Sequence, residues 1–408
     1  MAILDLAPEA LFVLPRLDRT SRPEREPDPL RERLAEIVER STLSLLDPDR
    51  IEALAEDLGV VKLKRVHHTG LLISSLLLSA LERQTDTSGR WLDAQMVYRQ
   101  LGGPDSGKTS FRNRTRQSVP VMQEMLKRRM QELVDKADDF ELRGRLKAFS
   151  NVLIPDGCAF KLASVLSGYF PGTGTPAELK LHAVYCIKTG IAEATQSAGR
   201  VHDNDGFHPG SWERGALYIW DLGYNDTGRF IDAAKAEAIP LQRLKSDANP
   251  VVLAWWDRQG MRHPIAYEDG KPMRLQEASQ LDELASGEFD LDVRLRDSQG
   301  RELIARVVCV PFDGEDRYYL TALPRDIFTP FDVAELYRLR WEAELFFRNW
   351  RGALRMDDVH RLRHPDSVQA HVVASLLAAT LARDIHAGLD RISVTHGGLP
   401  SRAVGVIH

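Results

Sequence analysis

The sequence predicts a mixed α+β protein: a helical amino-terminal domain, then an α/β sheet domain interrupted by a β-rich insertion. Three observations carry this. Apolar residues recur at helical spacing through most of residues 28–146. From Lys147 the texture changes to short apolar runs, two of which end in an aspartate. Between residues 247 and 325 further runs of strand character follow, some separated by Gly-containing turns.

The elements follow in order. Residues 1–27, with Pro23, Pro27 and many charges, read as a mobile arm. Asp28-Pro29 reads as an N-cap followed by proline at the first helical position, ahead of a helix over Leu30–Leu46. Further helical segments are expected at 49–58, 70–84, 90–101 and 119–136. Asp93–Arg116, a helix, a Gly-Gly turn and a basic stretch, has the layout of a helix-turn-helix and equally of part of a plain bundle. The first half of the sheet domain, 147–246, is expected to hold strands at Ala148–Ile154, Leu181–Ile187, Ile191–Ser197 and Ala216–Trp220. A helix at Gly228–Ala238 and a strand at Pro240–Arg243 complete it. Asp156 and Asp221 are expected at carboxyl ends of their strands, where open α/β sheets place ligands. The insertion, 247–325, carries Val251–Trp256, Leu291–Leu295, Leu303–Val310 and Tyr318–Ala322. The second half, 326–390, begins with one long helix from Thr329-Pro330 to about Trp350 and ends in a buried helix, Ser367–Ile385; 391–408 is a tail.

Bulk properties exclude several classes. The 408 residues suffice for two or three domains, and 43% hydrophobic with 28% charged residues is ordinary for a globular protein. No apolar run approaches the roughly 18 residues that span a bilayer. An acid stands where a signal peptide carries basic residues, and three separated cysteines fit a reducing compartment, so a cytoplasmic location is expected. The net charge of −5 opposes a nucleic-acid partner, yet basic residues are segregated. Lys108–Arg129 holds seven bases (Arg112, Arg114 and Arg116 among them) against one acid, and Arg338–Arg363 holds seven arginines against four acids. Each run also reads as a solvated helix face.

The chemistry concentrates in FDVAELYRLRWEAELFFRNWRGAL. On one continuous helix Tyr337, Glu344 and Arg351, seven residues apart, share a face, because the drift per heptad is only about 20°. Arg340 stands one turn before Glu344 on the same side. Leu336, Leu339, Trp341, Leu345, Phe346, Phe347 and Trp350 crowd the segment, so the helix is expected to be packed on most sides. An acid buried there needs a cation or metal partner.

Tyr337, Arg340 and Glu344, with Arg351 where lysine is usual, resemble the Y-x2-R-x3-E-x6-K signature of insertion-sequence transposases of the DDE type. Asp156 in LIPDG and Asp221 in WDLGY resemble that family's two aspartates, over a resemblance covering roughly 148–385. It implies a ribonuclease-H-like α/β core interrupted by the β-rich insertion, with Asp156, Asp221 and Glu344 as catalytic triad and metal ligands. Two Mg²⁺ ions, for which Mn²⁺ substitutes, are implied, with Asp156 bridging both. Hard divalent ions choose oxygen donors, and two of them stabilise the attacking and leaving oxygens of phosphodiester cleavage. The implied activity is cut-and-paste transposition: cleavage at transposon ends and strand transfer by the freed 3′-hydroxyl. Implied partners are double-stranded DNA (terminal inverted repeats and target) and a second copy of the chain in the DNA complex. Tyr337, Arg340 and Arg351 are implied to hold terminal phosphates, and the landmarks Lys180, His182, Arg243 and Lys245 to contact DNA. Trp255, beside Trp256, could stack a flipped base, or simply pack.

Two other readings remain open. A catalytically inactive or domesticated relative would bind DNA without cutting it. Gly102–Thr109 (GGPDSGKT) matches the phosphate-loop pattern, but that motif needs an apolar strand before it, whereas WLDAQMVYRQL is helical; no nucleotide cofactor is expected. His202–His208 reads as a polar turn rather than a metal site.

Overall fold

A computed structural model of the chain describes residues 45–61, 68–81, 90–135, 141–206, 211–245, 247–265, 271–281, 288–353 and 356–395. The expected arm, the Asp28-Pro29 helix start, nearly all of Leu30–Leu46, most of the tail and the side chains of Trp350 and Arg351 lie outside the described residues. The chain divides into two compact units, Met1–Glu132 with Asn349–His408, and Leu133–Arg348.

The first unit opens with α1 (Pro48–Asp57), where Asp47 accepts the Asp49 and Arg50 N–H groups and Pro48 fills a position that needs no donor. Helix α2 (Thr69–Leu81) is apolar almost all round and buried accordingly. Then come α3 (Arg90–Gln100), α4 (Lys108–Gln117) and α5 (Val119–Asp135). The basic stretch after Gly102-Gly103 is thus itself a helix, with Phe111 and Thr115 buried and Lys108 and Arg112 exposed. Lys108 opens α4 after a helix, not a strand, so Gly102–Thr109 lacks the setting a phosphate loop requires.

The second unit is built on one ten-stranded mixed sheet in the order β3-β2-β1-β4-β5-β10-β9-β8-β6-β7. Its strands are β1 (Val152–Lys161), β2 (Glu178–Cys186), β3 (Gly190–Ala198), β4 (Leu217–Trp220), β5 (Ile239–Arg243), β6 (Val251–Trp256), β7 (Arg262–Pro264), β8 (Phe289–Arg296), β9 (Glu302–Phe312) and β10 (Glu315–Thr321). Strands β1–β3 form an antiparallel meander, while β4 and β5 run parallel to β1. That half is compatible with a ribonuclease-H-like core. The strands from 251–321 extend the same sheet, joined where β10 pairs antiparallel with β5.

Helix α6 (Thr227–Lys235), capped by Asp226, presses Phe230 and Ala233 onto one face of the sheet with Leu153, Val184, Tyr218 and Trp220. The expected long helix is instead two, α7 (Pro330–Tyr337) and α8 (Arg340–Ala353). At the break the N–H groups of Leu339, Trp341 and Glu342 bond three residues back, to Leu336, Arg338 and Leu339. The tighter turn contains neither proline nor glycine, so the local sequence gives no sign of it. Nor is α8 packed on most sides: Ala343 and Phe347 are buried, while Trp341 is 49% exposed. The chain returns to the first unit with α9 (Pro365–Thr395), which packs on α2 and α4; Arg116 of α4 donates from Nε to Ser367 Oγ at 2.9 Å.

Candidate active site

Register brings the two aspartates together. On the parallel pair Val152 lies opposite Leu217 and Leu153 opposite Tyr218. Asp156 and Asp221 each lie three residues past the last paired residues, Leu153 and Tyr218, so both fall on the same face, because side chains alternate with period two. Asp221 directly follows β4, as expected. Asp156 does not end its strand: β1 continues to Lys161 against β2, and what ends near Asp156 is its pairing with β4. The two parallel strands part there, opening a crevice of the kind in which α/β sheets bind ligands.

Aromatic contacts carry Glu344 onto the same face. Tyr185 lies opposite Ile154, which shares the Asp156 face, and the Phe346 ring sits 4.8 Å from that of Tyr185. At the far end of the helix pair the Tyr337 ring lies 5.1 Å from Tyr319 of β10. Thr329 caps α7 by accepting from the Asp332 N–H, and Asp332 accepts the Thr329 N–H in return.

Arg340 joins the acids. Its Nη2 lies 3.4 Å from Glu344 Oε2 and its Nε 3.8 Å from Asp221 Oδ1, and Arg348 Nη2 reaches Glu344 Oε1 at 3.2 Å. Asp156 Oδ1 accepts the N–H of Gly157 at 2.8 Å. Burial raises the Asp156 carboxyl to about 6, with the Asp221 and Glu344 charges adding to the rise and Gly157 N–H and Arg340 opposing it. Asp221 and Glu344 are 42% and 35% exposed, so the acidic group faces solvent rather than lying sealed in the core. The Tyr337 hydroxyl is pushed up by burial and by the Asp221 charge, and feels both Arg340 and Arg243.

The structure therefore gathers Asp156, Asp221, Glu344, Tyr337, Arg340 and Arg243. It places other candidates elsewhere. His182 is 3% exposed, with both ring nitrogens 3.1 Å from hydroxyls of Tyr224 and Ser197, which leaves it no surface to offer DNA. Lys180 is held by Asp203 at 3.0 Å and the Val201 carbonyl at 2.8 Å. Both face the side of the sheet opposite Asp156. Lys245 is exposed just beyond β5. Trp255 packs partly on the core and stacks on His263 at 4.2 Å. Arg112, Arg114 and Arg116 belong to the first unit. Sequence reasoning missed Arg348, although its spacing of four from Glu344 was visible, and it missed Asp203 and Tyr224.

For a divalent cation the donor chemistry fits: three carboxylates offer only hard oxygens, and their mutual repulsion is relieved by a cation. Among the described residues, however, no group of three or more His, Cys, Asp or Glu is arranged to hold an ion as it stands. The Arg340 guanidinium is the cation in contact with Asp221 and Glu344.

Comparison with known proteins agrees in kind. A family profile described as a transposase DDE domain matches residues 150–381, more than half of the chain. The transposase for insertion sequence element IS421 of Escherichia coli is 42% identical over 66 residues, 16% of this chain and 18% of the relative. The same identity and shares hold for the InsL proteins named for insertion sequence element IS186 in Escherichia coli. A Sinorhizobium fredii protein named "Putative transposase y4zB" is 27% identical over 263 residues, 64% of this chain and 66% of that one. The chain thus matches less than a fifth of the length of the IS421 and IS186 relatives. No helix among the described residues is long and apolar enough to cross a membrane.

Proposed function

The chain belongs to the DDE transposase family, and from that premise we propose that it cuts phosphodiester bonds at transposon ends and joins the freed 3′-hydroxyl to target DNA. The observation that carries this is Arg340 bridging Asp221 and Glu344, from the end of β4 and a helix 123 residues further on (221 to 344), with Asp156 near enough to feel the charges of all three.

Asp156, Asp221 and Glu344 would hold divalent metal, Mg²⁺ or Mn²⁺. When bound, the metal supplies charge stabilisation of the attacking and leaving oxygens and a lowered pKa for the attacking water. For that, Arg340 has to leave the two carboxylates it now contacts. A guanidinium so released is suited to a terminal phosphate, which it can grip with two parallel hydrogen bonds. Tyr337 and Arg243 flank it and are assigned to the same DNA, as is Arg351, seven residues after Glu344 in sequence. We assign the catalytic core to 147–246 and 326–390, with 247–325 as an insertion. The exposed bases of α4 give the helical domain 28–146 a role in holding DNA, and end pairing calls for a dimer in the complex.

The test uses the full chain and linear DNA carrying the ends of its own element. Mg²⁺- or Mn²⁺-dependent nicking is expected. Glu344→Gln keeps the side-chain shape but removes one metal-binding charge, so cleavage should fall by at least about 100-fold while DNA affinity stays within about twofold. Wild-type binding without metal-dependent cleavage would identify an inactive DNA-binding relative, and full activity in the Gln variant would remove Glu344 from the triad.

A further inference from the structure

Behind Asp156, on the opposite face of the sheet, lies a polar cluster that cleavage chemistry does not use. Tyr224 is 2% exposed, and its hydroxyl is 3.1 Å from His182 Nδ1; the other ring nitrogen, Nε2, is 3.1 Å from Ser197 Oγ. The backbone N–H of Tyr224 donates to the Asp221 carbonyl at 3.0 Å, and Arg229 Nη1 donates to the Tyr224 carbonyl at 3.1 Å. The hydroxyl ends against Gly157, the neighbour of Asp156: a methyl group there would lie 2.8 Å from Tyr224 Oη and 3.5 Å from His182 Nδ1. Asp203, paired to Lys180, stands against both Gly157 and Gly223, where added methyls would lie 3.7 Å and 2.9 Å from its oxygens.

One residue thus touches both strands of the crevice. Its backbone is tied to Asp221, and its hydroxyl abuts the residue whose N–H fixes the Asp156 carboxylate. A tyrosine ring is rigid, and burial and the His182 bond leave this one no room to swing away. Gly157 has no positive φ to explain it, so its missing side chain answers a demand for space. Resting on the metal-dependent function proposed above, we infer that Tyr224, clamped by His182 and admitted by Gly157, is a positioning residue: a strut that sets the separation of Asp156 and Asp221 and so the geometry of the metal site.

The test is a series in the full chain: Tyr224→Phe, Gly157→Ala and the double variant, with Asp156→Asn as a metal-site control. Mn²⁺ bound to the DNA-free protein is read by electron paramagnetic resonance, beside melting temperature and nicking. Gly157→Ala should weaken Mn²⁺ binding about 10-fold or more, the usual effect of disturbing a group that orients a metal ligand. Tyr224→Phe should weaken it a few-fold in protein held well below its melting temperature, which falls by no more than the loss of one buried hydrogen bond explains. The double variant should recover to the Tyr224→Phe level, because removing the hydroxyl makes room for the new methyl. A packing role alone predicts losses that track melting temperature and no recovery. Unchanged Mn²⁺ affinity in Gly157→Ala, or a double variant as weak as the product of the singles, overturns the strut. Should Gly157→Ala not fold, Tyr224→Phe decides: unaltered Mn²⁺ affinity overturns it, and weakened affinity well below the melting temperature, where the variant is folded, supports it. A wild type that binds Mn²⁺ but cuts no DNA sinks the proposed function alone, and the strut is then judged on the Mn²⁺ series.

Discussion

Asp156 is held at a cost to the fold. Burial, reinforced by the Asp221 and Glu344 charges, puts its carboxyl at about 6 against an ordinary 3.8. A carboxyl whose folded value is raised stabilises the fold fully below about pH 3.8, and that contribution is lost as pH rises through about 6. Near neutrality the ionised group therefore costs the metal-free protein up to about 3 kcal/mol. Asp156→Asn mimics the protonated form, so in chelator it should melt above wild type near pH 7 and converge with it near pH 4. Equal melting at both ends would mean that the carboxylate is better solvated than its burial implies. Arg340 poses a different question, because it neutralises Asp221 and Glu344 now and is assigned to DNA in the complex. Arg340→Ala should flatten the slope of log K against log salt by about one unit, the signature of one lost phosphate contact. A fall in thermal stability with an unaltered slope would confine Arg340 to its ion pairs.

Elements were legible in the sequence wherever one periodicity ruled. The runs at Val251–Trp256 and Ala216–Trp220 became β6 and β4 almost residue for residue, because apolar β-branched and aromatic stretches bounded by turn residues have few alternatives. The Thr329-Pro330 start of α7 was equally plain, since both residues act locally. Thr329→Ala should cost about 1 kcal/mol in a denaturant titration, and Thr329→Ser nearly nothing. What stayed hidden depends on neighbours distant in sequence. The turn between Tyr337 and Arg340 has no breaker residue. It accompanies the seating of Tyr337 on Tyr319 and Phe346 on Tyr185, two contacts with different strands. Helix α4, at KTSFRNRTRQ, is too polar to show a stripe; only Phe111 and Thr115 are buried. Strand β1 looked finished at Pro155-Asp156-Gly157 because those residues usually end strands, yet β2 pairs along it to Lys161. The residues proposed as the triad were legible as residue types at spacings; the cluster of His182, Tyr224 and Asp203 was not, because it forms only when positions far apart in sequence are brought together by the fold.

At the scale of the whole second unit, the question is whether the strands beyond β5 form a separate body or share one stability with β1–β5. The junction argues for sharing. Leu241, Gln242 and Arg243 of β5 pair with Thr321, Leu320 and Tyr319 of β10, and the Thr321 hydroxyl donates to the Pro240 carbonyl at 3.0 Å. Just beyond it lies a network of buried charge. Arg306, 4% exposed, donates from Nε to both oxygens of Asp290 (3.1 and 3.0 Å) and from Nη1 to the Leu323 carbonyl at 3.2 Å. Arg325 joins Asp290 to Asp292, which also holds Arg262 of β7. Replacing one member of such a pair leaves a charge buried with fewer partners and costs about 3–5 kcal/mol, whereas replacing both can be nearly neutral. Arg306→Met should therefore destabilise the unit strongly, and Asp290→Asn with Arg306→Met should recover part of the loss. Hydrogen exchange locates the effect. If the ten strands unfold together, the slow amides of Ile154 in β1 and Leu291 in β8 lose protection by the same free energy in Arg306→Met. If Leu291 loosens while Ile154 keeps its wild-type protection, the strands beyond β5 open on their own. The β1–β4 crevice then owes its stability to β1–β5 and the helices on them, and Arg306→Met should leave Mn²⁺ binding intact.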